Sequence, residues 1–414
     1  MVEKNSQKKL VVIGGGAAGF FCAINAAKLN PKLKIIILEK TNKLLSKVKI
    51  SGGGRCNVTH ANFSISSLVK NYPRGDQFLK KAFHQFNTQH TIHWFLERGV
   101  ELKTESDGRM FPVSNSSETI VNCLIKEANK YNIEIKYHSE VKSLERKDSL
   151  WNIFCNNEII IAKFVCIASG GFAKEESFNW IKKLGHRIVP PIPSLFTFNI
   201  PKHPIHELMG LSIENTVVKI QGTKWQMNGI VLITHWGLSG PAILKLSAYA
   251  ARELHEKKYS FPISINWVAD FNETQLREHW QSFRNEFSSA KLANKNPFKI
   301  PNRLWILLLN ESEINENTRW NELTSKQQNK LITNLTSYTF HVNGKTTFKE
   351  EFVKAGGVTI SEIHVQTMES KIQEGIYFAG EIMDIDGITG GFNFQNAWTT
   401  GYIAAKDIAT KSLN

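Results

Sequence analysis

The 414 residues carry 51 Lys and Arg against 37 Asp and Glu, a formal net charge of +14, and 42% are hydrophobic. A chain this long exceeds the size at which one core keeps growing, so two or three domains are expected. The five cysteines, at 22, 56, 123, 155 and 166, are widely spaced with no C-x-x-C pair, which argues against a disulfide scaffold and against a zinc or iron–sulfur site; no metal is expected. The polar opening runs straight into an apolar strand, and no apolar run reaches membrane-spanning length, so no membrane partner is expected and the location reads as cytoplasmic. The lysines are dispersed without a zinc-finger or basic-helix motif. A basic surface that draws in an anionic cofactor or substrate is therefore preferred to a nucleic-acid partner.

Lys9 to Lys28, KLVVIGGGAAGFFCAINAAK, reads as a buried strand, a glycine turn and a helix. Val11, Val12 and Ile13 suit a parallel strand covered on both faces. Gly14, Gly16 and Gly19 have the G-x-G-x-x-G spacing, in which the first allows the tight turn, the second lets backbone approach a pyrophosphate, and the third lets helix and strand pack closely. Leu33 to Leu38 form a second apolar strand, and Glu39 ends it, 20 residues beyond Gly19. A carboxylate there accepts ribose hydroxyls and repels a 2′-phosphate, which favours FAD or NAD over NADP. Lys40 weakens that exclusion.

From Thr41 to Thr59 the chain reads as a polar, glycine-rich loop bearing Lys43, Lys47, Lys49, Gly52, Gly53 and Gly54, able to wrap a pyrophosphate. Arg55, Cys56 and Asn57 follow it. Cys56 is the one cysteine worth testing for redox reactivity, although it lacks a resolving partner. Residues 76–98 have the periodicity of one amphipathic helix. His84, His90 and His93 lie there without metal-ligand spacing. Residues 101–114 read as two short strands joined at Asp107 and Gly108, and 117–130 as a helix. Strand-like fragments cover 133–141, 151–155 and 158–161. Phe164 to Gly171, FVCIASGG, repeats the opening logic, so that a second glycine-bearing strand end comes close to the same cofactor.

Five prolines between 190 and 204 mark a boundary near 190. Strands are expected at 211–220, 224–232 and 261–267, with a helix over 244–254. The island LITHWGLSGPAIL, 232–244, reads equally as a turn facing a cleft, with His235 moving a proton, and as a plain strand-to-helix turn. Residues 271–338 shift to helical spacing, and Phe348 to Glu362 leads back to the first domain. The fold class is α/β: a discontinuous Rossmann-like domain (1–189 and 355–414) into which a β-rich domain (190–270 and 339–354) and a helical subdomain (271–338) are inserted. In the last stretch, GIYFAGEIMDIDGITGGFNFQNAWTTGYIAA, a strand ends at Gly380 and Glu381, an acidic glycine-rich loop follows, and a helix begins near Phe394. Carboxylates there could hold polyol hydroxyls and the helix start could support a negative ring, which favours FAD over NAD.

These motifs resemble the YhiN-type flavoproteins, also called BaiN-like or aminoacetone-oxidase-like. The likeness rests on VIGGGAAG (12–19), SGGGRCNVT (51–59), THWGLSGPAIL (234–244), KAGGV (354–358), TMESK (367–371) and GEIMDIDGITGGFNFQNAWTTG (380–401). It implies the Rossmann-like FAD domain with an inserted β-barrel-like domain and a smaller helical domain. It also implies FAD contacts at Gly14, Gly16, Ala17, Ala18, Glu39, Lys40, Gly54, Arg55, Cys56, Val141, Gly170, Gly380, Glu381, Asp386, Gly391, Phe392, Asn393 and Phe394, with Gly19 completing the fingerprint. The expected activity is that of an oxidoreductase with non-covalent FAD, exchanging a hydride with a small-molecule substrate or, transiently, NADH or NADPH. No second G-x-G-x-x-G marks a stable nicotinamide site, and no catalytic residue is singled out. A flavin-containing RNA-modifying or RNA-binding protein is the alternative that the high pI suggests.

Overall fold

The computed structural model describes residues 9–156, 158–346 and 353–413; the start of the expected return segment, 348–352, lies outside them. The chain divides into two compact units, Met1–Pro193 with Phe348–Asn414, and Ser194–Thr347.

Five parallel strands form the centre of the first unit: β1 (Lys9–Ile13), β2 (Lys34–Leu38), β3 (Glu134–Lys136), β4 (Phe164–Ile167) and β5 (Ile376–Phe378), hydrogen-bonded in the order β5-β4-β1-β2-β3. Leu10, Val11 and Val12 are wholly buried, as a central parallel strand covered on both faces requires. The register aligns Ile13 with Leu38 on one side and Ile167 on the other, and Ile167 with Phe378. Gly14, Glu39, Ala168 and Ala379, the next residue of each strand, therefore emerge along one sheet edge.

Helix α1 (Ala17–Leu29) leaves the Gly14 turn, and the 22-residue helix α4 (Phe392–Leu413) packs on it; α2 (Ser46–Gly54) and α3 (Ser117–Lys130) lie between them in sequence. Small residues permit the α1–α4 packing. A Cβ on Gly401 would stand 2.8 Å from the Ala18 carbonyl oxygen. At the far ends of the helices Asn30 Nδ2 donates to Ser412 Oγ at 2.8 Å.

Two stretches differ from the sequence expectation. The region 41–59 is not all loop: Ser46 to Ile50 are helical, and the turn breaks where Gly52 and Gly53 take φ of 60° and 68°. The single helix expected over 76–98 is two, Asp76–Ala82 and Thr88–Leu96, because Asn87 caps the second by accepting from the Gln89 and His90 amides at 3.0 and 3.4 Å. Apolar periodicity runs through both and conceals the cap.

Two of the family-like motifs serve packing. KAGGV lies in the strand Val353–Val358, which pairs with the proline-bearing Ile188–Ser194 in a two-stranded ribbon. A Cβ on Gly356 would be 2.5 Å from the Pro190 oxygen, and one on Gly357 would be 2.4 Å from that of Ile382. In TMESK, Glu369 accepts the Gly375 amide at 2.9 Å and pairs with Lys411 at 2.6 Å. Ser370 Oγ sits 2.9 Å from His186 Nε2, whose Nδ1 is 3.2 Å from Glu362. Ser370 Oγ also receives the Ile372 and Gln373 amides, so this buried Ser–His–Glu chain is a strap and presents no free nucleophile.

The second unit holds a seven-stranded antiparallel sheet, in the order 338–343, 260–266, 212–220, 226–234, 237–239, 197–199 and 345–346. The helices within 271–338 share one core with it, in which Leu276, Trp280, Trp305 and Leu331 join Val218, Ile263 and Phe340. The 232–244 island is a tight hairpin followed by a helix starting at Pro241. His235 is exposed, its ring edge-on to Trp236 at 4.2 Å.

Gly401→Val should lower the thermal unfolding midpoint, since overpacking where a helix meets backbone costs about 1–3 kcal/mol. An unchanged midpoint would mean that α1 and α4 can part without penalty.

Candidate functional site

The aligned strand ends place one site on the first unit. Gly14 turns the chain with φ +114°, and a Cβ there would stand 2.4 Å from the Ala168 oxygen; one on Gly19 would stand 2.0 Å from the Gly14 oxygen. These two glycines are required by close packing. Gly16 and Gly170 have another reason: among the described residues no atom lies within 4 Å of a Cβ built on either, so both border open space. Ala17 and Ala18 open α1, where amide N–H groups lack helical acceptors and carry the positive end of the helix dipole. That combination suits a phosphate.

Glu39 faces the same turn, with Oε2 accepting the Gly15 amide at 3.0 Å and Oε1 accepting the Thr41 amide and hydroxyl, both at 2.9 Å. A carboxylate offers about four acceptor positions, so one remains for a ribose hydroxyl, not the pair expected. Lys40 is exposed beside it. The Ser139 amide donates to the Glu39 carbonyl at 2.8 Å and so ties the start of the next strand, Val141, to the same edge. Val141 itself is buried.

At the other end, Gly380 (φ +75°) donates its amide to Thr400 Oγ1 at 2.9 Å, and its Cα faces the methyl of Ala18. This brings the β5 end and α4 against the glycine turn. Two of the carboxylates expected to hold polyol hydroxyls are already engaged: Lys47 pairs with Glu381, and Arg74 grips both oxygens of the fully buried Asp386. Gly391 needs its φ of +91°, since a Cβ would come within 2.6 Å of the Thr59 oxygen, and its amide donates to the Asn57 side-chain oxygen at 3.0 Å. Tyr72 donates to the Phe392 carbonyl at 2.7 Å, His60 stacks on the Phe392 ring at 4.8 Å, and Asn393 holds both polar groups of Gly387 at 2.8 and 2.9 Å. Phe394 is half-buried and parallel to Trp398. The start of α4 is thus held rigid.

The 54–56 segment divides. Gly54 is exposed with open space where a Cβ would lie. Arg55 is held away by Glu105 at 2.6 Å, with its guanidinium 4.0 Å over the Phe111 ring. Cys56 is fully buried with φ +61°, and burial pushes its thiol up to about 12 against the weaker opposing hydrogen bond with Ser51. Burial of this kind disfavours the thiolate, so the one cysteine singled out for a redox test lies where its reactivity is suppressed. Among the described residues no group of side chains could hold a metal.

The polar groups beneath this surface went unread in the sequence. Gln395 Oε1 accepts from Thr59 Oγ1 at 2.7 Å and Thr91 Oγ1 at 3.0 Å, while its Nε2 donates to Thr399 Oγ1 at 3.1 Å. Ser169 Oγ, beside Gly170, and both side-chain polar atoms of Asn396, one turn before Thr400, are buried with no hydrogen-bond partner among the described residues. Each such group costs roughly 1–3 kcal/mol. The run Q-N-A-W-T-T inside an otherwise apolar helix was the available signal. Open glycine corners, free helix amides, one remaining Glu39 acceptor position and these orphaned groups fit an extended dinucleotide with a polyol arm.

In native protein at pH 8, Cys56 should resist iodoacetamide, counted by mass spectrometry of tryptic peptides, and react only on unfolding. Rapid native alkylation would refute the buried-thiol assignment.

The family model described as HI0933-like protein Rossmann domain matches residues 8–407. The chain is 30% identical over 413 residues to the ribosomal RNA dihydrouridine synthase of Escherichia coli, covering 97% of this chain and 98% of that one. It is 26% identical over 411 residues to the 3-dehydro-bile acid delta(4,6)-reductase of Clostridium scindens, covering 97% and 99%. Among solved structures, Escherichia coli quinol fumarate reductase aligns with a TM-score of 0.52 at 14% identity, over 99% of this chain and 71% of that one, a likeness of fold. With the glycine turn, Glu39 and the Gly380 corner gathered at one edge, the chain belongs to the HI0933-like family of FAD-dependent oxidoreductases, which includes the YhiN/BaiN-like proteins, and it binds FAD without covalent attachment.

Proposed function

We propose that the protein reduces the C5=C6 double bond of a uridine in ribosomal RNA, leaving dihydrouridine. The observation that carries this is the 30% identity, end to end, with the Escherichia coli ribosomal RNA dihydrouridine synthase, supported by 28% identity over 412 residues with that of Haemophilus influenzae. RNA modification, the alternative that the high pI suggests, thereby moves to first place. It also gives the net charge of +14 a use, since neutralising phosphates is what sequence-independent RNA affinity rests on.

The chemistry is coherent across the relatives. Uracil C5=C6 is conjugated to the C4 carbonyl, and the double bonds in the name of the bile-acid enzyme belong to the same class when conjugated to a ketone. Each reduction adds a hydride at the carbon remote from the carbonyl and a proton at the carbon next to it. FAD, when bound, would supply the hydride carrier, with a reduced nicotinamide as the source of the hydride. The chain's own residues bind and orient. The amides of Ala17 and Ala18 and the open corner at Gly16 take the phosphates, Glu39 takes a ribose hydroxyl, and Gly170 and Gly380 let backbone come close. The amides at the start of α4, fixed by Tyr72, Asn57 and Asn393, stabilise negative charge on the electron-rich ring. Cys56, held as a neutral thiol, does not act as a thiolate nucleophile.

The test is anaerobic incubation of the holoenzyme with ribosomal RNA transcribed in vitro and NADH or NADPH, followed by nucleoside mass analysis. Dihydrouridine should appear only with enzyme and reductant together. Oxidation of the nicotinamide by an unsaturated 3-oxo steroid, with no dihydrouridine in RNA, would replace this reading with a small-molecule reductase. Glu39→Arg should weaken FAD binding by roughly 10- to 100-fold in reconstitution titrations, because a charged hydrogen bond is removed and a bulky cation enters. Unchanged affinity would remove Glu39 from the ribose.

A further inference from the structure

A concavity of about 730 Å³ opens on the first unit beside the glycine turn. Lys43, Lys47 and Lys49 line it with Tyr137, and Ile50 and Val121 contribute apolar surface. Lys43, Lys47 and Lys49 belong to the loop expected to wrap a pyrophosphate, and none of the lining residues is among the FAD contacts that the family likeness implies. Its composition follows from local structure. The helical turn Ser46–Ile50 presents Lys47 and Lys49, α3 supplies Val121 and Ile125, and Tyr137 follows the last residue of the edge strand β3. Ser117 Oγ donates to the Lys49 carbonyl at 2.7 Å and fixes α2 against α3.

Two links join this cleft to the cofactor edge. Leu44 lines the cleft, and its Cδ2 lies 2.7 Å from where a Cβ of Gly15 would be, while the Leu45 amide donates to the Gly15 carbonyl at 2.9 Å. Lys47 lines it as well, and its ammonium pairs with Glu381 at the β5 corner. The other ion pair on the rim, Lys49 with Glu118 at 3.5 Å, is exposed on both sides, with side chains 48% and 56% accessible. Such a pair is weak and exchanges readily for a phosphate.

Three lysines and several apolar side chains lining one cleft, with Tyr137 47% exposed among them, match one nucleotide: phosphate oxygens on the lysines and a base stacked on the phenol ring. The volume is that of a site for one such unit. We propose that this cleft seats an unpaired nucleotide of the RNA substrate, outside the cofactor site and next to it. The assignment rests on the RNA reading above. Its basic rim makes it a positioning surface for the strand, with no part in the chemistry.

The experiment uses holoenzyme throughout, with a fluorescent 12-nucleotide oligouridylate as probe. Wild type, the double variant Lys43→Glu/Lys49→Glu, Tyr137→Ala and Tyr137→Phe are compared for FAD content, oligouridylate affinity across salt concentrations, and the KM for NADPH. All four should retain FAD. Tyr137→Ala should bind roughly 5- to 100-fold more weakly, as removal of a stacking platform does, and Tyr137→Phe should stay near wild type. The double variant should bind at least about 10-fold more weakly, with a log–log salt slope shallower by roughly 0.7 for each phosphate that is no longer neutralised.

RNA binding equal to wild type in the variants would overturn the assignment, as would no binding by wild type at low salt. Loss of FAD would show that the cleft belongs to the cofactor, and a raised KM for NADPH with RNA binding intact would show that it takes the reductant; either result overturns it. Failure of the functional reading is distinguishable: wild type that holds the strand through these residues yet forms no dihydrouridine leaves the cleft standing and removes the reaction.

Discussion

The register of the parallel sheet is the constraint on which the site depends. Because Ile13 pairs with Leu38 and Ile167, and Ile167 with Phe378, four segments far apart in sequence end on one line. A slip of one residue in β5 would move Gly380 off the edge and turn every side chain of that strand to the other face. The buried apolar faces of these strands penalise such a slip, so core packing sets the geometry of a polar site that contributes nothing to the core itself.

The packing of α4 on α1 transmits that register to the last segment. Gly401 admits the Ala18 carbonyl and Gly380 admits the Ala18 methyl, while Thr400 takes the Gly380 amide. Two glycines, one alanine and one hydroxyl thus set where α4 begins relative to the glycine turn. Beneath them Gln395, Thr59, Thr91 and Thr399 form a connected, fully buried set of hydrogen bonds. A network of this kind is costly if broken and rigid when whole, which suits a surface whose task is to hold a ring still.

Much of the fold was legible because its signals are local. The β1–α1 unit, Glu39 at the end of β2, the helix over 117–130 and the strand before Gly380 all declare themselves through periodicity, glycine placement or capping residues. What was not legible depends on pairing between distant residues. No local pattern says that Arg74 will occupy the Asp386 carboxylate, that Lys47 will reach Glu381, or that Glu105 will draw Arg55 aside. The acidic loop 384–386 therefore read as a polyol site, although Asp386 is spent on an internal pair. The burial of Cys56 was hidden for a related reason: it is set by the fold, and sequence shows only its neighbours. Asn87 is the exception, a local cap hidden within a continuous apolar period.

The charge arrangement at the site follows from those pairings. Two carboxylates that would repel an anionic cofactor are each matched by a cation, Asp386 by Arg74 in burial and Glu381 by Lys47 nearer the surface. The buried pair is expensive to break, because parting its members would leave an uncompensated charge away from water. It therefore behaves as a fixed brace under the start of α4. The Lys47 pair differs, since the lysine is 46% exposed and can exchange partners at low cost. A phosphate near the rim would compete with Glu381 for that ammonium, and its binding would alter the field at the β5 corner. Lys47 therefore belongs at once to the basic cleft and to the cofactor edge, and an anion bound in the cleft would act on that edge through this one side chain.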